Sequence, residues 1–322
     1  MFDVVVVGMG PNGLSVLYQL GKYALKVLGL DKGSICNHIR SYPKDMVFFS
    51  TSEKLTLDEF EMKSKNGSNP TLKEACDYYE SFAGRHDLNI LNFSELDHLS
   101  GKDNDFTLTL KGGQKIHTKK VVLTTGIYSN PNYLDVPGEN GFNVSHYFSG
   151  STLIENKNVL IVGAGNSAVE AALDLSKSNN VLLSCRQSSP DSSKIKKWIY
   201  PDFLDAVSTK KITLLGNSRL ISLVDSHASF EVQNLKTVNF DFDYCFLLTG
   251  YRPDKNFLIN GCGLKLEGEL QIPKHNIQTY ETEIKGVYVG GALVEGMNNH
   301  RVFIENGRLH GKPIAQDIYA KI

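Results

Sequence analysis

The chain opens on FDVVVV, whose four valines, Val4 to Val7, form a β-branched apolar run closed by Gly8. Such a run bounded by glycine predicts a buried strand. Leu14, Leu17, Tyr18 and Leu20 then recur at helical spacing, and LKVLGL reads as a second strand. A long polar loop is expected from about 33 to 70. A helix is expected over 71–85, where Leu72, Ala75, Tyr79 and Phe82 share one side. FTLTL and the segment around Lys115 read as a hairpin joined by Gly112 and Gly113, and KKVVLTTG as a strand ending at Gly126. The pattern then restarts. NVLIVGAGNSAVEAALDL, at 158–175, is again strand, glycine turn and helix, with NVLLSCR as the next strand. Shorter strands are expected near Ile212, Phe230 and Val238. YCFLLTG ends at Gly250, GVYVGG at Gly291, and a last helix is expected over about 299–320.

The restart is an internal repeat of one βαβ unit. The second copy sits inside the first, because the closing strand and helix have no repeat of their own. The expected fold is α/β, with two Rossmann-like dinucleotide-binding domains, the second inserted into the first. The expected boundaries are 1–128 and 249–322 for the outer domain and 129–248 for the inserted one.

Length and composition agree. The chain has 322 residues, of which 41% are apolar, and a formal charge of −1. Two domains of ordinary size fit that length. The balanced charge argues against nucleic acid as a partner. No apolar run reaches the ~18 residues of a membrane helix, so no membrane partner is expected. The first strand starts too early for a signal peptide. The five cysteines are widely spaced without a CxxC pair, so no metal site is expected and a reducing cytoplasm fits.

The glycine turns carry the chemistry. Gly8, Gly10 and Gly13 form a GxGxxG turn with Pro11 and Asn12 inside it, and Gly163 and Gly165 open a second turn followed by Asn166, Ser167 and Ala168. Each has a strand before it and a helix after it. Glycine permits close backbone approach, and the helix N-terminus then faces a pyrophosphate. The residue beyond the second strand separates the two sites. At the same distance from the first glycine of each turn stand Asp31 and Arg186. A carboxylate accepts hydrogen bonds from ribose hydroxyls and repels a 2′-phosphate, whereas arginine attracts it. The first site therefore suits FAD, with Lys32 beside Asp31, and the second suits NADPH, with Lys196 as added charge. Thr125, Gly126 and Gly250 end apolar strands beside these sites. A last helix starting near Asn298 and Asn299, with Gly291 before it, would point its positive end at the flavin.

The parts in this order resemble the low-molecular-weight thioredoxin reductase fold. More specific stretches resemble the bacillithiol disulfide reductases of the YpdA type. They are SYPKDMVFFSTSEKL (41–55), GIYSNPNYLDVPGE (126–139), SSKIKKWIYPDF (192–203), TGYRPD (249–254) and FIENGRLHG (303–311). The resemblance covers nearly the whole chain. It implies FAD, NADPH, a small-molecule disulfide as acceptor and a homodimer or higher homo-oligomer. Three departures accompany it. Where thioredoxin reductases carry CATC, this chain reads HYFS, His146 to Ser149. Where the bacillithiol disulfide reductases carry a cysteine in the first turn, it has Asn12. Ala292 follows the GVYVGG strand where an aspartate is usual.

The electron acceptor is left open by the residues. Cys36 is a candidate redox thiol, and His146 and His300 are candidate proton donors, each with a purely structural role as the alternative. Tyr42, Phe49, Ser50 and Ser52 are candidates for the flavin pocket. A disulfide reductase is the first reading. A single-component flavin monooxygenase or oxidase, and a ferredoxin or flavodoxin reductase, are the alternatives.

Overall fold

A computed structural model describes residues 1–322 except 66, 234, 235 and 299. Chain contacts divide it into two units, Met1–Asn130 with Tyr251–Ile322, and Pro131–Gly250.

The outer unit starts with β1 (Phe2–Val7), α1 (Pro11–Gly21) and β2 (Val27–Leu30). The long loop contains a 3-10 turn at Ile39–Ser41 and a short helix, α2 (Ser52–Leu55). Helix α3 (Leu72–Arg85) follows, fixed at its start by a reciprocal capping box between Thr71 and Glu74. It buries Leu72, Ala75, Tyr79 and Phe82, the face expected from their spacing. Then come β3 (Ile90–Leu91), β4 (Leu96–Lys102), β5 (Asp105–Leu110) and β6 (Lys115–Leu123).

The inserted unit contains β7 (Val144–Ser145), β8 (Asn158–Val162), α4 (Asn166–Leu175), β9 (Asn180–Ser184), α5 (Tyr200–Ser208) and β10 (Ile212–Leu215). A meander of β11 (Ser218–Val224), β12 (His227–Val232) and β13 (Lys236–Asp241) leads to β14 (Tyr244–Leu247). Its parallel sheet has the order β10-β9-β8-β14-β7, and the meander is a separate antiparallel sheet.

The chain then returns to the outer unit through the short ribbon β15 (Leu266–Glu267) and β16 (Ile272–Pro273), and β17 (Val287–Val289) joins the first sheet. That sheet has the order β3-β2-β1-β6-β5-β4. Strand β6 divides its partners: its first half pairs antiparallel with β5, and Val121 to Leu123 pair in parallel with β17. The valines of β1 are buried on both faces, as expected of a parallel strand covered by helices.

The chain's end differs from the single expected helix. It forms α6 (Ile304–Gly307), a tight turn at Arg308–His310 and α7 (Gly311–Ala320). Gly307, Arg308, His310 and Gly311 all keep right-handed helical dihedrals, so the segment tightens rather than stops between α6 and α7. An added Cβ on Gly311 would lie 2.5 Å from Ser15 Oγ, so the chain passes α1 closely there. Asn306 also turns back, accepting from Phe303 N at 2.8 Å and donating to Arg301 O at 2.7 Å. Asn298 therefore lies in a loop rather than at a helix start. Asn299 lies outside the described residues.

Candidate functional site

Each glycine turn is built by contacts that a side chain would destroy. An added Cβ on Gly8, whose φ is +101°, would lie 2.5 Å from Thr124 O, and one on Gly13 would lie 1.8 Å from Gly8 O. On Gly10 it would meet nothing within 4 Å. The outer glycines thus let backbone pack on backbone, and the middle one leaves open space. The inserted unit repeats this: Gly163 would strike Leu248 O at 2.3 Å, while Gly165 faces open space. Gly10 and Gly165 are also the N-cap residues of α1 and α4, and neither helix has a side-chain cap. Pro11 takes the first turn of α1, where it removes no useful donor. Two helix ends are left with free N–H groups beside open space, which suits a pyrophosphate.

Thr124 opens the TTG stretch that follows β6. Its hydroxyl donates to Gly8 O at 2.7 Å and is 3.0 Å from Val7 O, tying the end of β6 to the first turn. Thr125 and Gly126 follow at its edge, partly buried. Asp31 is buried, its carboxylate accepting from Met9 N at 2.7 Å and Gly33 N at 2.8 Å. It is held beside the turn, while Lys32 points outward.

Asn12 joins three segments. Its amide donates to Gly307 O, and an added Cβ on Gly290 would lie 2.6 Å from its Oδ1. Gly291, at φ +67°, lies against the same side chain. Gly291 N in turn donates to His310 Nδ1 at 3.2 Å, and the His310 ring stacks on Tyr280 at 4.4 Å. Ser15 Oγ donates to Arg308 O at 2.6 Å. Residues 307–310 are thereby clamped onto α1. Ser50 donates to Glu305 on the same segment. Tyr42 packs edge-on against Tyr128 at 4.8 Å, and Tyr128 against Tyr251 at 4.3 Å. Phe48 is core, whereas Phe49 is 39% exposed.

Burial lowers the pKa of His310 to about 4, helped by the charge of His275. The ring is neutral in the folded protein and accepts from Gly291. An unfolded His310 takes up a proton below about 6.5 and the folded one only near 4, so stability falls as pH drops through that window. The expected loss is about 3 kcal/mol. Urea unfolding at pH 7 and pH 4.5 tests this. The wild type should lose more stability on acidification than His310→Gln; equal losses would refute it.

Buried polar atoms without protein partners mark where a ligand would bind. Asn12 Oδ1, His38 Nε2, Ser52 Oγ and Asn92 Oδ1 are buried with no hydrogen-bond partner. Asn92 neighbours Asp31, since Asp31 N donates to Leu91 O and Ser94 N to Asp31 O. Asn12 stands in the first turn and Asn92 beside Asp31, while His38 and Ser52 lie on the long loop. Such groups normally find partners, so a polar ligand at the end marked by Asn12 and Asp31 fits the residues present.

In the inserted unit, Asn166 Oδ1 accepts from Lys196 N at 2.9 Å, and its amide donates to Lys194 O at 3.2 Å. Asn166 thus fixes the lysine-bearing loop on α4. Ser167 is exposed and Ala168 buried, and Gly250 ends the unit at φ +88°. The Lys196 ammonium pairs with Glu170 at 2.9 Å. Arg186 is exposed just beyond β9 and has no ion pair among the described residues.

Of the proton-donor and thiol candidates, Cys36 lies at the first turn, its backbone N–H donating to Met9 O at 3.0 Å. His300 is exposed in a turn. His146 is buried in the inserted unit, 3.4 Å from Glu139, with its ring against Tyr133 at 4.7 Å. Burial lowers its pKa, against the pull of Glu139. Glu139 is itself occupied, accepting from the backbone N–H groups of Leu134 and Asp135, both at 2.7 Å. All five cysteines are free and buried. Cys36 belongs to the core packed under α1 and α3, and burial, with the nearby Cys76, raises its pKa well above the ordinary range. Burial also raises Cys76, Cys185 and Cys245, and takes Cys262 to about 12. Among the described residues no cluster of His, Cys, Asp or Glu fits a metal ion, and no helix is long and apolar enough to cross a membrane.

Comparison with known proteins agrees with this architecture. The family model described as pyridine nucleotide-disulphide oxidoreductase matches residues 5–291. Bacilliredoxin reductase Bdr of Bacillus subtilis (strain 168) is 31% identical over 314 residues, covering 98% of this chain and 96% of that protein. The solved bacillithiol disulfide reductase Bdr (YpdA) from Bacillus cereus superposes with a TM-score of 0.94 at 31% identity, covering 100% of this chain and 99% of that one. Thioredoxin reductase of Lactococcus lactis, at 18% identity and a TM-score of 0.78 over 99% of this chain and 98% of that one, shares the fold. The chain therefore belongs to the pyridine nucleotide-disulphide oxidoreductase family, alongside the Bdr (YpdA) reductases, and has the two-domain fold of thioredoxin reductases.

Proposed function

We propose that this oxidoreductase uses FAD in the outer unit and NADPH in the inserted unit to reduce a small disulfide of the bacillithiol type. The observation that carries the reading is the pair of uncapped glycine turns with unlike partners, Asp31 at one and Arg186 at the other. Asp31 would hold the adenosine ribose of FAD, and Gly10 with the first N–H groups of α1 its pyrophosphate. Gly165 would do the same for NADPH, with Arg186 on the 2′-phosphate. When bound, the two cofactors supply hydride transfer, which is their own chemistry. The net reaction is NADPH, a proton and a disulfide giving NADP⁺ and two thiols.

The chain's own thiols take no part in this proposal. A relay needs an accessible thiolate. The first turn has Asn12 instead, and Cys36 is a core residue with its pKa raised. The side chains near the turn serve to bind and orient: Asn12 and His310 hold Gly290 and Gly291, and Ser50 holds Glu305.

Anaerobic stopped-flow tests the reading. The holoenzyme is reduced with NADPH and then mixed with oxidised bacillithiol or with oxygen. Fast reoxidation by the disulfide, retained in Cys36→Ala, is expected. Rapid reaction with oxygen and none with disulfides would move the protein to the oxidase or monooxygenase class.

A further inference from the structure

The outer unit has a second concavity, apart from the glycine turn. Its volume is about 400 Å³, and Asn130, Arg252, Lys255, Asn256, Asn260 and Gln271 line it. We propose that it binds the anionic, hydroxyl-bearing part of the disulfide substrate, and so selects acidic, polyhydroxylated disulfides over neutral ones. The inference rests on the reading of the protein as a disulfide reductase.

Charge and hydrogen bonding favour that ligand class. Arg252 and Lys255 have no ion pairs among the described residues and are both exposed to the cavity. The one carboxylate in the wall, Asp254, already accepts from Phe257 N at 2.9 Å, which starts the next helical turn. The wall is therefore cationic, and its guanidinium can hold a carboxylate with two parallel hydrogen bonds. Three asparagines and a glutamine add donors and acceptors suited to hydroxyl groups. The Gln271 carboxamide oxygen is buried without a partner, as expected of a group whose partner is a ligand. Pro253 and Ile259 supply apolar wall beside these polar groups, so the two cations rather than a lack of apolar surface set the preference.

Position links the cavity to the flavin side of the unit. Gln271 lies in the turn between β15 and β16, which packs on the loop that follows β17: an added Cβ on Gly296 would strike Leu270 O at 2.1 Å and Gln271 C at 2.9 Å, and Met297 N donates to Leu270 O at 2.7 Å. That loop starts at Gly291, against Asn12. Arg252 is fixed in register by its own N–H, which donates to Asn130 O at 2.9 Å, so both residues belong to one rigid rim. A substrate anchored by its acid group here lies along the same loop that the first turn holds.

The test compares two disulfides on the holoenzyme: oxidised bacillithiol, which is acidic and hydroxylated, and the neutral 2-hydroxyethyl disulfide. The ratio of their kcat/KM values is measured in the wild type, Arg252→Gln, Lys255→Gln and the double variant. Loss of charge-assisted contacts predicts a fall of roughly tenfold for Arg252→Gln, and of about a hundredfold for the double variant. Raising ionic strength should raise KM for the acidic disulfide in the wild type only. A ratio unchanged in the double variant, or an equal loss for both disulfides, would overturn the proposal. Calorimetry of oxidised bacillithiol with the oxidised holoenzyme separates this from the functional reading. Binding that vanishes in the double variant supports the cavity even where turnover is absent, in which case the reductase reading fails alone. No binding by the wild type overturns the cavity.

Discussion

Purified Gly13→Ala should carry less than about a tenth of the flavin held by the wild type, with dinucleotide affinity lowered at least ~100-fold, on the order of 3 kcal/mol. The cause is steric and local. The new methyl would sit 1.8 Å from Gly8 O and 2.8 Å from Thr124 Oγ1. Neither Gly8, at φ +101°, nor the end of β6 can move without opening the turn. Gly10→Ala meets nothing within 4 Å of protein, so it should fold normally and lose flavin only through contact with the ligand. Heat-released flavin, identified by chromatography, gives the comparison. Full FAD occupancy in Gly13→Ala would remove the first turn as the dinucleotide site.

Arg186→Glu should lower the ratio of kcat/KM for NADPH over NADH by about a hundredfold. Contacts to a charged phosphate contribute roughly 1.5–3 kcal/mol, and a carboxylate adds repulsion. Lys196→Gln should change the ratio less than about fivefold, because that ammonium is engaged by Glu170. Both nucleotides are compared by the rate of flavin reduction, which bypasses the acceptor. If Lys196→Gln matters more than Arg186→Glu, the phosphate lies on the lysine loop and not at the end of β9.

The features legible in sequence were those set by neighbours in sequence. Val4 to Val7 and the glycines after them form strand and turn because β-branched runs and glycine backbone act locally. The Asp31 and Arg186 contrast is likewise a matter of position after a strand. What escaped reading depends on distant partners. Strand β4, LDHLSGK, is mostly exposed and shows no clean alternation, so only its pairing with β5 defines it. Helix α5 is short and has Pro201 in its first turn, which reads as a breaker unless its place at the helix start is seen. The last helical segment starts at Ile304, and its Gly311 passes close to Ser15, a contact between distant residues. Asn12 reaches Gly307 across 295 positions, and no local pattern announces such a contact. Thr124 and His310 act on backbone atoms of Gly8 and Gly291 in the same way. The engagement of Lys196 by Glu170, from a different element, was hidden for the same reason.

The central claim is that no thiol of this chain relays electrons, and alkylation of the reduced enzyme tests it most directly. The holoenzyme is reduced with NADPH under anaerobic conditions and exposed to iodoacetamide, and its intact mass and disulfide turnover are then measured together. Because all five cysteines are buried, with the thiols of Cys36, Cys245 and Cys262 pushed far up in pKa, the account predicts no adduct on the folded protein and undiminished turnover. An adduct at Cys36, or at any other cysteine, that appears only after NADPH is added and abolishes turnover would contradict it.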